Sequence, residues 1–341
     1  MRVSLAGGGQ ETLLSEVGSQ YLLPLFTTRD ACALRLVCRE FLAAVTEQPW
    51  EDDRTAIKGS IGAWRACFPR ALSANVSQCK WQTARRSAPV VDADFVHFQG
   101  QRVLNMRDCT SVTDAAFVHL RGIHTLDMSD CNQGTITDAA FAHLRGIHTL
   151  DMSYCCQDGI TDAAYVHLRG IHTLHIIECR VTDAAFAHLR GIHTLNMTTC
   201  EQHGITDAAF VHLRGIHTLY MSGCYQDTIT DAAFEHLCGI HTLLMSNCSQ
   251  EGITDAAFAH LHGIHTLDIS MCTQEGITDA AFAHLQGIHT LDMRDCSENI
   301  TGSGFQHLVG ISELLVSATA LYREAKRRGL SGAVDLLGPF E

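Results

Sequence analysis

The chain has 341 residues, 46% of them apolar, and a formal net charge of −13. That is enough apolar material for a core, and the acidity argues against a nucleic-acid partner held through its phosphates. No apolar run is long enough for a signal peptide or a membrane span, so the 15 cysteines are expected as free thiols in a reducing, intracellular setting, cytoplasmic or nuclear.

Taken in chain order, "ETLLSEVGSQYLLPLF" (Glu11–Phe26) predicts a short helix followed by an apolar run. Thr27–Trp50 predicts a second helical stretch beginning near Asp30, with Leu34, Val37, Cys38, Phe41 and Val45 on one face. These stretches resemble the F-box, a small helical module, chiefly through "LRLVCREF" at Leu34–Phe41 and the closing Trp50; the usual Leu-Pro of its first helix is Leu13-Leu14 here. The resemblance implies an F-box over residues 11–50 that docks on the Skp-type adaptor of a cullin–RING ubiquitin ligase. It also implies that Leu14, Val17, Leu22, Leu25, Leu34, Val37, Cys38 and Phe41 share the adaptor contact and the module's own core. Residues 51–87, with Trp64, Phe68 and Trp81, are expected to form a helical linker.

From there one sentence repeats. The Thr-Asp pair recurs at Thr113, Thr137, Thr161, Thr182, Thr206, Thr230, Thr254 and Thr278, at intervals of 24 residues except for one of 21. Looser copies begin near Val91 and at Ile300. So short a period means a solenoid in which each unit contacts only its neighbours. In the unit Ile136–Gly159, Thr137 can cap a helix and Asp138 suits its positive end. Ile136, Ala140, Phe141 and Leu144 fall on one helical face, and Gly146 closes the helix. The period then changes to two, with Leu150 and Met152 inward and Thr149, Asp151 and Ser153 outward, as in a half-buried strand. Ile147, Leu150, Met152, Cys155 and Ile160 should form continuous inner ladders.

This pattern resembles the leucine-rich repeat, most closely the cysteine-containing type. The resemblance implies an α/β solenoid of about ten units over residues 88–316, right-handed, with parallel strands on the concave face and helices on the convex face. Residues 317–341 would form a basic capping helix (Ser317–Gly329) and a tail. An F-box followed by such repeats is a known substrate-receptor layout, and the near-verbatim copies also resemble F-box repeat proteins of large DNA viruses.

Three columns of chemically active residues run along the repeats. One cysteine per unit, from Cys109 to Cys296, reads as a small buried hydrophobe. All 21 histidines lie between His97 and His307, one column on the helices and a second (His124 to His289) just before the strands. A metal needs about four ligands converging on a point, which a straight column does not offer, so no cofactor is expected. The copies differ at outward strand positions, where Tyr154, His175, Ile177, Tyr220, Leu244 and Met271 are flanked by acids. Between Val112 and Asn299 there are 22 acidic and 7 basic residues, a balance of −15, so a basic segment with an apolar anchor is the partner this face suits. No nucleophile, base and oxyanion donors recur as a group. The sequence thus reads as a non-catalytic substrate receptor that binds Skp-type adaptor and cullin and an unidentified protein. The alternative is a stand-alone repeat scaffold with a degenerate F-box.

Overall fold

The computed structural model describes residues 23–78, 88–200, 204–317, 319–330 and 334–336. Among them twelve short strands form one parallel sheet in strict chain order, from Ser73–Asn75 through Thr125–Asp127 and its repeats to Val334–Leu336. The register follows from the Thr-Leu-x triplet: Leu126 pairs with Leu150, Leu150 with Leu174, and so on along the sheet. His148 and Thr149 both donate their N–H to the His124 carbonyl of the preceding unit at 3.0 Å, and the same fork recurs from unit to unit. Each triplet turns its leucine into one continuous core, where Ile147, Leu150, Met152, Cys155 and Ile160 are all buried, as the alternation requires.

The convex half of each unit is shorter than the pattern suggests. Asp138–Phe141 is a single helical turn, and Asp162–Leu168 and Asp279–His284 are 3-10 throughout. The arc is pinned at both ends. Thr137 caps it by accepting from the Ala139 N–H at 3.3 Å, and Gly146 leaves it at φ +82°. Between those points Leu144 N–H donates to the Phe141 carbonyl and Ile147 N–H to that of Leu144, so the turn tightens instead of extending. Ala140, Phe141 and Leu144 are nevertheless buried as expected.

A carboxylate clamp ties each unit to the next. Asp138 accepts from both the N–H and the Oγ1–H of Thr161 at 2.7 Å, and Asp207 accepts from Thr230 at 2.7 and 2.8 Å. The clamp runs from Asp92–Thr113 to Asp279–Thr301 and survives the 21-residue interval, where Asp162 accepts from Thr182 at 3.0 and 2.5 Å. The cysteine column adds a second tie: Cys155 donates its thiol to the Met128 carbonyl at 3.3 Å and Cys179 to that of Met152 at 3.1 Å. Burial pushes the Cys131, Cys179 and Cys248 thiols up to about 12, so they stay protonated donors. The column cysteines from Cys109 to Cys272 are thus buried and small, as expected, with Cys296 half-buried, but they are also hydrogen-bonded.

The histidines before the strands stack ring on ring, with centroids 4.4–4.5 Å apart and planes within 13° from His124 to His289. Each Nδ1 lies 3.1–3.2 Å from the hydroxyl of the following threonine. Partial desolvation, and then the neighbouring imidazoles, hold His148, His217 and His265 below the usual histidine range.

The N-terminal part departs from the sequence reading. Thr27 forms a capping box with Asp30, so the helix begins at Thr28, and it ends at Leu34. A second helix runs over Arg39–Glu47 behind an extended Cys38. The single face proposed for Leu34, Val37, Cys38, Phe41 and Val45 is therefore broken. Val37 N–H donates to the Leu34 carbonyl in a tightening turn, and Cys38 beyond it is extended. Leu23, Ala31, Val45, Trp50, Phe68 and Ala71 make a separate small core, in which Trp50 Nε1 donates to the Val45 carbonyl at 2.8 Å. The stretch 51–87 is not helical throughout: it supplies a helix at Ile61–Cys67 and the first strand of the sheet. At the other end the Thr319–Arg327 helix is followed by a last strand, Val334–Leu336, paired with Glu313–Val316. Leu14, Val17 and Leu22, like Trp81, lie outside the described residues.

Two outcomes follow. Replacing Asp207 by Ala removes an acceptor that serves two donors and should cost about 2–3 kcal/mol in denaturant unfolding. Replacing Asp158, whose ion pair with Arg180 is exposed, should change stability by less than about 0.5 kcal/mol. The depressed histidines set a pH dependence. The unfolded chain binds more protons once pH falls below the free imidazole value of about 6.5, so stability is lost as pH falls from there through the lowered values of His148, His217 and His265. Guanidinium melts at about pH 7.5 and 5.5 should show a lower midpoint at the acid value; equal midpoints would overturn the lowering of His148, His217 and His265.

Candidate binding surface

In-register pairing decides which outward side chains meet. The third residue of each triplet lies beside its counterpart in the next strand: Asp127 by Asp151, His175 by Asn196, Asn196 by Tyr220, and Tyr220 by Leu244. His175, Asn196, Tyr220 and Leu244 therefore form a contiguous half-buried strip, with Asp127 and Asp151 at one end and Asp268 and Asp292 at the other. The acids are structured. Asp127 accepts from the Ser129 N–H and hydroxyl at 3.0 and 2.6 Å, and Asp268 from those of Ser270 at 2.9 and 2.6 Å. Burial raises the carboxyls of Asp127 and Asp268 above the ordinary range, against the pull of those serine bonds, and Asp151 and Asp292 add to the rise. Ser129, Ser153 and Ser270 are buried, so the second outward position is less open there than simple alternation implies.

Just beyond each strand lies a feature that the sequence reading missed. One residue per unit occupies the left-handed region, with φ from 53° to 65°: Asp108, Asp130, Tyr154, Glu178, Thr199, Gly223, Asn247, Met271 and Asp295. The turn aims its N–H at the next unit, as where Tyr154 donates to the Ile177 carbonyl at 2.8 Å and Met271 to that of Arg294 at 2.7 Å. Gly, Asn and Asp adopt this conformation readily; other residues bear a cost of roughly 1 kcal/mol. Five of the nine positions hold the favourable types. Tyr154, Glu178, Thr199 and Met271 do not, and nothing in the backbone asks for them. Tyr154 and Met271 are also exposed. A bulky exposed residue held where the backbone disfavours it is what a contact surface produces. Tyr225 joins this rim, accepting from the Asn247 side-chain amide.

The N-terminal module carries a second apolar surface. Leu25, Leu36 and Val37 are 79%, 88% and 66% exposed, and Phe26, Cys38 and Leu42 are exposed as well. Leu34 packs partly against the small core and Phe41 is half-buried. Leu36, Phe26 and Leu42 were not singled out in the sequence. Their signal is visible only once the helix is seen to break, because the break turns Leu36 outward.

No described protein family matches this chain, and no curated protein matches it in sequence. Solved structures do match. Toll in the Toll–Spatzle complex from Drosophila is 14% identical with a TM-score of 0.58, over 81% of this chain and 42% of that one. TLR13 in its ssRNA13 complex is 14% identical with a TM-score of 0.54, over 81% and 48%. An internalin (InlF) from Listeria monocytogenes is 14% identical with a TM-score of 0.52, over 72% and 70%. The chain thus spans less than half of the Toll and TLR13 chains. These neighbours are leucine-rich-repeat proteins, and the chain is an α/β solenoid of that architecture. Among the described residues no helix is long and apolar enough to cross a membrane.

If Tyr154 and Met271 serve contact and not the fold, Tyr154→Asn and Met271→Asn should each leave stability unchanged or raise it by up to about 1 kcal/mol, while Asn247→Tyr lowers it by about as much. Urea titration of the three variants measures this, and a marked loss for Tyr154→Asn would give the tyrosine a structural role instead.

Proposed function

We propose that the chain is a non-catalytic substrate receptor of a cullin–RING ubiquitin ligase, with residues 11–50 as an F-box, residues 51–87 as the connector, residues 88–316 as the recognition solenoid and residues 317–341 as its cap. The observation that carries this reading is the apolar surface of Leu25, Leu36 and Val37 on a small module packed at the first end of the solenoid. Leaving such side chains in water forfeits about 1.5–3 kcal/mol each, so a partner that covers them gains that energy. The likeness of Leu34–Phe41 to the F-box supplies the class of partner, a Skp-type adaptor that brings cullin with it. The adaptor would rest on Leu25, Leu36 and Val37 with Cys38 and Phe41, and on Leu14, Val17 and Leu22 by the same likeness; Leu34 serves chiefly the module's core. Substrate would lie across Tyr154, His175, Ile177, Tyr220, Leu244 and Met271, and the acids at both ends of that strip suit a basic segment with an apolar anchor. A reducing cytoplasmic or nuclear setting accompanies this function.

Affinity purification from cells tests it. Skp-type adaptor and cullin should co-purify with the wild-type chain and be lost with Leu36→Asp/Val37→Asp, which touches exposed positions and should leave the melting temperature in place. If adaptor and cullin are absent from the wild-type purification too, the chain acts as a stand-alone binding scaffold.

A further inference from the structure

Among the seven basic residues between Val112 and Asn299, Arg180 and Arg294 pair with Asp158 and Asp292. The other five, Arg121, Arg145, Arg169, Arg190 and Arg214, are exposed, stand one per unit in consecutive units, and have no carboxylate partner among the described residues. This is an unexpected arrangement in a region with three times as many acids as bases. The nearby helix aspartates are unavailable, because Asp138, Asp183 and Asp207 are held in the threonine clamps.

Each of the five guanidinium groups is aimed. Arg121 Nε donates to His143 Nδ1 of the next unit at 3.2 Å, Arg145 to His167 at 3.3 Å, Arg169 to His188 at 3.4 Å, Arg190 to His212 at 3.3 Å and Arg214 to His236 at 3.2 Å. A neutral imidazole accepts one N–H, fixes the side chain and leaves the charge uncancelled, with other N–H groups free to donate. The scaffold does not require arginine here. Gln99 makes the same contact with His119 at 2.8 Å, and the later units carry Cys238, His262 and Gln286 at this position on the same fold.

We propose that this row of arginines, along the turn from helix to strand, is a docking rib for an acidic linear segment of a partner protein. Five units cover four inter-strand steps, on the order of 20 Å, about the reach of six extended residues. Guanidinium groups recognise carboxylates by paired, directed N–H donation, which a row of oriented arginines presents repeatedly. The rib lies apart from the concave strip and stands whether or not that strip binds substrate.

Fluorescence anisotropy with a labelled deca-glutamate peptide, and a deca-glutamine peptide as the neutral control, tests the proposal on the full chain. Wild type should bind deca-glutamate, and binding should weaken by roughly tenfold or more between about 50 and about 300 mM salt. The five-fold variant Arg121→Gln/Arg145→Gln/Arg169→Gln/Arg190→Gln/Arg214→Gln uses the residue that positions 99 and 286 already carry, so it should keep its melting temperature and lose the peptide. Cys238→Arg/Gln286→Arg adds charge beyond the rib and should tighten binding. Unchanged affinity in the five-fold variant overturns the proposal, as does a wild type that ignores deca-glutamate. If the Gln variant is unstable, failure of Cys238→Arg/Gln286→Arg to tighten binding overturns it instead. Binding of a poly-uridylate probe in preference to deca-glutamate would reassign the rib to nucleic acid.

Discussion

The aspartate that opens each convex turn does two things at once. It places negative charge at the start of the turn, where the free N–H groups favour it, and it accepts both donors of the threonine that caps the turn in the following unit. Neither turn is long enough to persist alone, since a four-residue helix has hardly passed nucleation. Each is held by its neighbour, and the whole convex face depends on that borrowing. The concave face repeats the logic through the main chain, where the N–H groups of the histidine before each strand and of the strand's first threonine share one carbonyl of the unit before. Stability in such an array is a sum of near-equal interfaces.

That dependence explains which parts of the fold were legible in the sequence. The inner ladder could be read because Leu150, Met152, Cys155 and Ile160 recur at fixed spacing in many copies, and burial tolerates little variation. The length of the convex turn was misjudged because "DAAFAHL" has good helix propensity, whereas the clamps that tie its start to both neighbouring units and the left-handed Gly146 that ends it leave room for only a tightened turn. The break at residues 35–38 was hidden because "ALRLVCREF" contains neither Gly nor Pro, the residues that ordinarily mark a helix end.

The candidate surface was half legible. Variation among otherwise identical copies pointed to Tyr220, Leu244 and Tyr154, and the in-register strands bring His175, Asn196, Tyr220 and Leu244 together. The left-handed column was not legible, because a file reading Asp, Asp, Tyr, Glu, Thr, Gly, Asn, Met and Asp disguises a single backbone state. The arginine rib was overlooked for the opposite reason. One Arg per unit is indistinguishable in the sequence from the rest of the repeat, and only the uncancelled charge and the histidine partners set these residues apart.

The clamp also bears on how such a chain changes over generations. Every junction joins the same donor to the same acceptor, so removal of one whole 24-residue unit, such as 206–229, would bring Asp183 against Thr230 and His193 against His241 with the chemistry of the junctions it replaced. Gain or loss of a unit by unequal recombination is then nearly neutral for folding, and the number of units becomes a freely adjustable length. Such an event does change the surface: loss of 206–229 would take Tyr220 out of the concave strip and Arg214 out of the arginine row, whereas loss of 113–136 would take Arg121 from that row, leave the strip from His175 to Leu244 whole and shorten the spacing between it and the N-terminal module. Reach, and not only affinity, is therefore a property that this architecture can tune one unit at a time.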